Sequence, residues 1–356
     1  MAPMQGFEAP ITVLKAWNLA SASLAPLGSG LINRTWLVAN GADRYVLQQV
    51  NPVFSPDIHE DIRVVTAHLR SQGMAAPELL PAADGRWWVE DAGRVFRLMT
   101  HVDGVSRDRL TTPAEAREAG ALLARFHRAL ASLEHEFRSR RLGVHDTDRH
   151  LGVLRQALVD HATHRDFAAI RPLAEEILRL AAALPKLPTV PDRIVHGDPK
   201  INNLLFDAAT GRALCFIDLD TLGRMPLPLE LGDAFRSWCN PAGEDNPRSA
   251  FAMDLFAAAV DGYAAAAAGW ITPDEWGAIV SGTLTIYVEL AARFCADALR
   301  ENYFGWDAQR FPSRSAHNQV RAANQLTAAR ALWDARSAAD EAVRRAFGSA
   351  PDDRSG

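Results

Sequence analysis

The chain has 356 residues, of which 48% are hydrophobic, so it can bury a sizeable core in one large or two medium domains. Its formal net charge of -5 argues against a general nucleic-acid binder. The N-terminus carries no basic-then-apolar leader, no apolar run reaches about 18 residues, and the three cysteines lie far apart in apolar stretches. We therefore expect a cytoplasmic protein without a membrane span.

The first part of the chain has the pattern of strands and turns around one helix. The stretch PLGSGLINRTWLVAN is typical of two strands joined by a glycine turn, and Asn40–Gly41 indicates a hairpin into GADRYVLQQV. In DIHEDIRVVTAHLRSQG, Ile62, Val65 and Leu69 recur at helical spacing, and Asp57 is a candidate N-cap. RWWVED and RVFRLMTHV then follow as strands. This region is predicted to be β-rich.

After Gly104 the pattern becomes mainly helical. TPAEAREAGALLARFHRALASL places Leu122, Phe126 and Leu130 on one helical face. Two stretches, IVHGDPKINNLLFD and ALCFIDLDTL, interrupt the helices as strand-like exceptions. Further helices are expected at about 147–168, 172–184, 230–239, 249–268, 272–299 and 315–346.

The change of pattern near 101–106 predicts two lobes. Residues 1–101 would form a small antiparallel lobe with one main helix, and residues 102–350 a larger, mostly helical lobe. Residues 351–356 are predicted to be a disordered tail. The fold class that follows is α+β and bilobal.

A polar cluster lies inside the stretch IVHGDPKINNLLFD. A hairpin through Asp207–Arg212 would bring its end close to Asp218, so that Asn203 and Asp218 supply oxygens to one Mg²⁺ ion. Asp198 is then left as a base and Lys200 as a positive charge for a transferring phosphate. Phosphoryl transfer needs positioned reactants, a metal ion and a base.

The order of these residues matches a known catalytic template. Kinases carry Asp-x-Lys-x-x-Asn followed by a metal-binding aspartate on the next hairpin. Here the loop reads Asp198-x-Lys200-x-x-Asn203, Asp218 follows CFI, and Gly28–Asn33 (GSGLIN) stands where a loop over the nucleotide phosphates is expected. We expect residues 198, 203 and 218 to converge on one pocket beneath this glycine turn.

With its His-Gly-Asp loop, the sequence resembles the aminoglycoside phosphotransferase and choline-kinase superfamily, which has a protein-kinase-like fold. Within it, KINNLLFD, CFIDLDT, LELGDAFR, GSGLINRTWLV, RYVLQQVN and ELAARFCADALRENYF resemble the N-acetylhexosamine 1-kinases, from about Leu27 to Phe304. Those enzymes use ATP and Mg²⁺ to phosphorylate the anomeric hydroxyl of a sugar. The resemblance implies that this chain is an ATP-dependent sugar kinase.

Carried over to this sequence, the resemblance makes Asp198 the base, places Lys200 near the γ-phosphate, and makes Asn203 and Asp218 the metal ligands. Met99–Val102 would be the hinge facing adenine. His196 and Asp233 would order the loop. The residues expected to bind the nucleotide are Gly28, Ser29, Gly30, Asn33, Gln48, Met99 and His101.

One feature departs from the kinase template. No lysine occurs between residues 16 and 185, and Gln48 or Gln49 stands on the third strand where kinases hold the α- and β-phosphates with a lysine. Glutamine donates hydrogen bonds without a charge. A catalytically inactive pseudokinase scaffold is therefore an alternative hypothesis.

The acceptor is predicted from the mixture of charges in the helical part. Acidic, basic and aromatic residues together suit a neutral sugar, and the candidates are Asp220, Arg236, Arg293 and Tyr303. Asp220 would alternatively only cap the local turn. An aminoglycoside, homoserine or amino alcohol is the alternative acceptor. We expect no nucleic-acid or membrane partner and a monomer or homodimer; the sequence leaves the acceptor, the nucleotide preference and the oligomeric state open.

Overall fold

The structure is a computed structural model that describes residues 10–28, 33–139, 144–267 and 269–348. The predicted nucleotide contacts Ser29 and Gly30 and the predicted tail 351–356 lie outside the described residues. The chain divides into two compact units. The first comprises Met1–Asp103, Ser132–Arg140 and Ile217–Leu222, and the second Gly104–Ala131, Arg141–Phe216 and Gly223–Gly356. Two later segments thus belong to the first unit, where the sequence suggested contiguous lobes.

The first unit is built on a 6-stranded antiparallel sheet. Its order is β1-β2-β3-β6-β4, and β5 pairs with β6. The predicted hairpin is confirmed, because β2 and β3 pair in register from Asn40 and Asp43. The strands are β1 Ser23–Pro26, β2 Arg34–Asn40, β3 Asp43–Gln49, β4 Leu79–Leu80, β5 Val89–Asp91 and β6 Arg94–Thr100.

The two faces of this sheet have different surroundings. Trp36, Leu47 and Phe96 belong to a buried apolar cluster that also contains residues of a 3-10 helix, Ile11–Trp17. Because side chains alternate along a strand, the cross-strand neighbours Thr35, Gln48 and Arg97 lie on the opposite face. Gln49 pairs with Phe96 and faces the apolar cluster. Of the two glutamines, Gln48 therefore lies on the face opposite the apolar cluster.

One helix, α1 (Ile58–Ser71), packs within the first unit, and Ile62, Val65 and Leu69 are buried in it as predicted. Asp57 precedes the helix but makes no side-chain capping bond. The segment 132–139 is held to α1 by the buried Asp61, which accepts hydrogen bonds from the backbone nitrogens of Arg138 (3.0 Å) and Ser139 (2.9 Å).

The second unit contains two small antiparallel sheets and a set of helices. Strands β10, β9 and β7 form one sheet, and β11 and β8 form the other. The strands are β7 Val105–Ser106, β8 Asp192–Val195, β9 Leu204–Phe206, β10 Ala213–Phe216 and β11 Gly223–Pro226. The helices are α2 Pro113–Leu130, α3 Thr147–Asp160, α4 Phe167–Ala183, α5 Leu227–Trp238, α6 Met253–Ala267, α7 Pro273–Gly277, α8 Ile279–Arg300 and α9 Arg314–Gly348.

Two predicted helices are divided in the structure. The helix expected at 147–168 ends at Asp160, and α4 starts at Phe167, before the predicted position. The helix expected at 272–299 is split into α7 and α8. Helix α7 begins at a capping box formed by Thr272 and Glu275, and it ends before Ala278. Apolar residues continue across the break at Ala278, so the pattern alone does not reveal it, whereas the break at 161–166 (HATHRD) is polar.

Close backbone contact fixes α5 against α8. A Cβ atom added at Gly282 of α8 would lie 2.1 Å from the carbonyl oxygen of Pro228 in α5. One added at Gly232 of α5 would lie 2.7 Å from the backbone of Gly282. Only glycine allows this approach at either position. The tight packing matters because α5 carries the side chains that hold the candidate catalytic loop.

Helix α8 is long and apolar enough by length and composition to cross a membrane, which the sequence pattern did not suggest. However, 89% of its most apolar window is buried inside the protein. Its burial is that of a core helix, and the composition is weak evidence for a span.

Candidate active site

The loop that follows β8 begins at His196 and is anchored by a carboxylate of α5. The fully buried Glu230 accepts hydrogen bonds from the backbone nitrogens of His196 (2.9 Å) and Gly197 (3.1 Å). Gly197 has a φ of 80°, a left-handed conformation that glycine adopts without strain. Glu230 thereby satisfies two backbone donors that would be costly to bury without a partner.

Two further side chains of α5 hold the rest of the loop. The Ser237 hydroxyl accepts a hydrogen bond from the Ile201 nitrogen at 3.1 Å. The indole nitrogen of Trp238 donates to the Pro199 carbonyl at 2.9 Å. These supporting roles were not predicted from the sequence. A signal exists, since positions 230, 237 and 238 recur on one face of a helix that is otherwise apolar on that side.

Asp198 is the centre of the loop, and two neighbours fix its carboxylate. Its Oδ2 lies 2.7 Å from Lys200 Nζ and accepts from Asn203 Nδ2 at 3.3 Å. The same Asn203 nitrogen donates to the Asp198 carbonyl at 2.9 Å. The structure therefore brings together three predicted residues, Asp198, Lys200 and Asn203, within the second unit.

The surroundings of Asp198 keep it ionised. Burial acts to raise the pKa of this carboxyl, but the charge and hydrogen bond of Lys200 outweigh burial and lower the pKa below its ordinary value. His196 Nδ1 accepts a hydrogen bond from the Asp198 nitrogen at 3.3 Å, and its ring lies against Phe126 and Phe216. His196 thus contacts both the backbone of the loop and the aromatic side chains of Phe126 and Phe216.

Asn203 has the chemistry of a metal ligand. Its amide nitrogen makes both bonds to Asp198, which leaves the amide oxygen as the end suited to a hard divalent cation. The predicted hairpin after it is confirmed: Leu204 of β9 pairs with Phe216 of β10, and Asp207 closes the turn by accepting from the Thr210 nitrogen.

Asp218 follows this hairpin in sequence and lies in the first unit. Its φ of 61° and ψ of 58° place a non-glycine residue in the left-handed region, directly before a 3-10 helix, Leu219–Thr221. Such conformations are uncommon outside glycine, and they cluster at functional sites.

Asp220 does not have the acceptor-binding role predicted for it. Its side chain is 1% exposed within the first unit, and its two oxygens bind Arg97 Nη1 and Asn33 Nδ2, each at 2.5 Å. The Asn33 oxygen accepts from the Asn51 nitrogen at 2.9 Å, so both ends of this amide are also occupied. Asp220 and Asn33 thus form internal contacts of the first unit, and the role of Asn33 in nucleotide binding stays a prediction.

The remaining predicted nucleotide residues lie in different settings. Gly28 has a φ of 74°, as a glycine turn requires. Met99 is 5% exposed and flanked in the sheet by Val46 and Leu79, which places it inside β6. His101 follows the strand, and its ring lies 3.3 Å from Asp103. The predicted hinge Met99–Val102 thus begins inside β6 and continues beyond the end of the strand at Thr100.

Two groups of candidate acceptor residues occur in the second unit. Arg236 donates from Nε to Asp233 at 3.0 Å and from Nη1 to Glu244 at 3.2 Å. Arg236 is 8% exposed, and the Glu244 side chain is 41% exposed. A buried arginine and a partly exposed carboxylate thus form a fixed polar group on α5 and the segment after it.

The second group surrounds Phe304. The guanidinium of Arg293 lies 5.8 Å from the centre of this ring, and the Tyr303 ring contacts it edge-on. Arg293 also lies 3.6 Å from the fully buried Glu289, whereas Tyr303 is 66% exposed. The structure therefore brings Arg293 and Tyr303 together and places Arg236 in a separate set of contacts.

The second unit contains an ordered Asp-x-Lys-x-x-Asn loop beside an antiparallel hairpin, and a separate unit is rich in β-strands. These features define the class of the protein as a phosphotransferase of protein-kinase-like fold. Residues 23–276 match the model of the phosphotransferase enzyme family (APH). The chain belongs to this family.

A curated relative is much longer than this chain. It is acyl-CoA dehydrogenase family member 11 of Gallus gallus, which is 30% identical over 232 residues. The matched part covers 61% of this chain, and the chain spans 28% of the relative's length.

Solved structures of small-molecule kinases share the fold. A microcompartment-associated aminopropanol kinase has a TM-score of 0.63 at 18% identity and covers 93% of this chain and 97% of its own. An aminoglycoside phosphotransferase from Alicyclobacillus acidocaldarius has a TM-score of 0.61 at 16% identity, over 98% of both chains. An amicoumacin kinase in complex with AMP-PNP, Ca²⁺ and Ami has a TM-score of 0.57 at 12% identity, over 85% of this chain and 87% of its own.

Proposed function

We propose that the protein transfers the γ-phosphate of ATP to a hydroxyl group of a sugar or amino sugar, with the anomeric hydroxyl as the acceptor atom. The observation that carries the proposal is the environment of Asp198, whose carboxylate is kept ionised by Lys200 and oriented by Asn203. A base that is ionised and fixed before substrate arrives is what proton abstraction from an alcohol needs.

The base acts in the following step. Asp198 accepts the proton of the acceptor hydroxyl while that oxygen forms a bond to the γ-phosphorus. The bond from this phosphorus to the bridging oxygen breaks at the same time, and ADP leaves with the electron pair. Lys200, bound to Asp198 at 2.7 Å, supplies a positive charge beside the reacting groups.

We propose Asn203 and Asp218 as the ligands of Mg²⁺. The amide oxygen of Asn203 and the carboxylate of Asp218 are hard oxygen donors, and few protein ligands are needed when phosphates complete the coordination. When bound, the ion would neutralise charge on the phosphates. The AMP-PNP and Ca²⁺ present in the amicoumacin kinase complex support a nucleotide and a divalent cation in this family.

The charges of the second unit support a neutral polyhydroxyl acceptor. Arg236 pairs with Asp233 and Glu244, and Arg293 lies near Glu289, so both signs of charge occur side by side in each group. Paired arginines and carboxylates offer donors and acceptors side by side, as sugar hydroxyls require. A polycationic aminoglycoside would instead favour unpaired carboxylates.

An amino alcohol is the second candidate acceptor. The Arg236 group contains one more carboxylate than guanidinium, and Glu244 is its exposed member. A single ammonium group would balance that charge. The shared fold with an aminopropanol kinase supports this alternative.

A panel of acceptors tests the proposal. ADP release would be measured with Mg·ATP and N-acetylhexosamines, an aminoglycoside, homoserine and aminopropanol. We expect turnover with an N-acetylhexosamine and a product lacking a reducing end. Turnover with aminopropanol alone would select the second candidate.

The same panel addresses the pseudokinase alternative. Asp198→Asn should lower turnover by about 10²–10⁴-fold with little change in ATP binding, because only the base is lost. Absence of turnover with every acceptor, together with no thermal shift at millimolar Mg·ATP, would favour a scaffold.

A further inference from the structure

Gln48 has a fixed amide orientation in the first unit. Its Oε1 accepts two hydrogen bonds from Arg97, one from Nε at 2.9 Å and one from Nη2 at 2.7 Å. Its Nε2 donates to the Thr35 hydroxyl at 3.2 Å. A flipped amide would direct its own N–H groups at the guanidinium donors, so the observed orientation is strongly preferred.

Arg97 is itself buried and paired. Its side chain is 1% exposed, and Nη1 lies 2.5 Å from Asp220. Asp220 is also 1% exposed and binds Asn33 Nδ2. A buried guanidinium that makes all of these bonds cannot change rotamer without leaving a buried charge unpaired, which is costly.

We infer that Arg97 is a positioning residue that replaces the missing strand lysine: it fixes Gln48 so that the amide nitrogen donates its second N–H to the α- or β-phosphate of the nucleotide. This inference rests on the proposed function. Hydrogen bonds from the guanidinium to the amide oxygen polarise the amide and strengthen its N–H as a donor. The positive charge that kinases place on the third strand thus lies one strand away, on β6.

The same arrangement explains why the third strand carries no lysine. An ammonium group at position 48 would lie beside the Arg97 guanidinium, where like charges repel at short distance. Glutamine accepts from Arg97 and donates outward, which lysine cannot do because it has no acceptor.

Arg97 also connects Gln48 to the turn of Asp218. Asp220 lies two residues after Asp218, within the 3-10 helix Leu219–Thr221, and α1 packs against this helix. Gln48, the proposed phosphate contact, and Asp218, the proposed metal ligand, are therefore both connected to the buried ion pair of Arg97 and Asp220 in the first unit.

Nucleotide binding tests the inference, with AMP-PNP and adenosine as probes in the presence of Mg²⁺. In Gln48→Glu, the carboxylate keeps the shape and both bonds from Arg97, so the variant should fold. We expect its affinity for AMP-PNP to fall by about 10- to 100-fold, since a carboxylate faces the phosphates. Its affinity for adenosine, which has no phosphates, should not change.

A charge exchange supplies the second variant. Gln48→Lys should weaken AMP-PNP binding, and adding Arg97→Gln should restore it, because the positive charge then lies on the third strand alone. Arg94→Met is the matched control: it removes an exposed arginine from the same strand and should leave both nucleotides bound as in the wild type.

Three outcomes separate the possibilities. Loss of AMP-PNP affinity in Gln48→Glu with rescue of Gln48→Lys by Arg97→Gln supports the inference. Unchanged AMP-PNP affinity in a folded Gln48→Glu protein overturns it while leaving the proposed function standing. If the wild-type protein binds neither probe, the proposed function and the inference both fail.

Discussion

Lys200 Nζ lies 2.7 Å from Asp198 Oδ2, so the candidate base and the candidate phosphate-neutralising charge form an ion pair. Asp198 is 24% exposed and Lys200 is 32% exposed in this pair. The ion pair keeps the carboxylate ionised at neutral pH, so that it can accept a proton. Part of this ionisation depends on Lys200.

Lys200→Met should shift the acid limb of the pH–rate profile. With Lys200 present, the pKa of Asp198 lies below its ordinary value, so kcat/KM should be insensitive to Asp198 protonation near neutral pH. Without Lys200, burial raises this pKa, and the acid limb should move to higher pH. The measurement is kcat/KM against pH, with Lys186→Met, an exposed lysine, as the control. An unmoved limb would show that Lys200 does not tune Asp198.

Glu230→Gln should weaken the contact by which α5 holds the candidate catalytic loop. The amide can replace only one of the two acceptor oxygens that Glu230 offers to His196 and Gly197. We expect a loss of about 1–3 kcal/mol in the free energy of unfolding and a lower kcat. Denaturant unfolding and steady-state kinetics measure these. Glu341→Gln on α9 is exposed and serves as the control; equal effects of both substitutions would contradict the assigned role.

Substitutions at Asp218 should separate metal binding from backbone strain. Asp218→Ala and Asp218→Gly both remove the carboxylate, so calorimetry with and without Mg²⁺ should show metal-dependent nucleotide binding lost in both. Because φ at this position is 61°, the glycine variant should be more stable than the alanine variant by about 1 kcal/mol. Retained metal dependence in both variants would remove Asp218 from the set of ligands.

His59 on α1 should make stability depend on pH. Burial and the nearby Arg97 lower the pKa of His59 from 6.5 to about 4 in the folded state. Between these values the unfolded chain binds the proton more tightly, so stability decreases as pH falls from about 6.5 to about 4, by about 3 kcal/mol in total. Urea unfolding at pH 7 and pH 4 measures this.

A non-titrating variant isolates this contribution. In His59→Gln, the part of the pH dependence that belongs to His59 should disappear, whereas His161→Gln, which keeps His59, should retain it. The same loss of stability on acidification in His59→Gln would mean that other groups cause it.

Much of the local architecture was predictable. The apolar spacing of Ile62, Val65 and Leu69 located α1, and the turn residues located the hairpins β2–β3 and β9–β10. The 3-10 helix Ile11–Trp17 was missed, because a run of seven residues is too short to show helical periodicity. The break at Ala278 was missed because the apolar pattern continues across it.

The candidate site was predictable only in part. Asp198, Lys200 and Asn203 lie within six consecutive residues, and their spacing, together with Asp218 after the next hairpin, indicated phosphotransfer chemistry. Glu230 lies 34 residues from the nitrogen that it binds, and its role was not assigned. Asp220 was predicted to contact the acceptor, but it pairs with Arg97, 123 residues away.

The sequence by itself determined the residue types and local spacing of the candidate catalytic loop, and through them the family of the protein. The tertiary structure decided which polar side chains are partners: Glu230 with the loop backbone, and Arg97 with Gln48 and Asp220. The physical reason is that turns and helix faces depend on neighbouring residues. The partner of a buried charge, in contrast, depends on which distant segments pack around it.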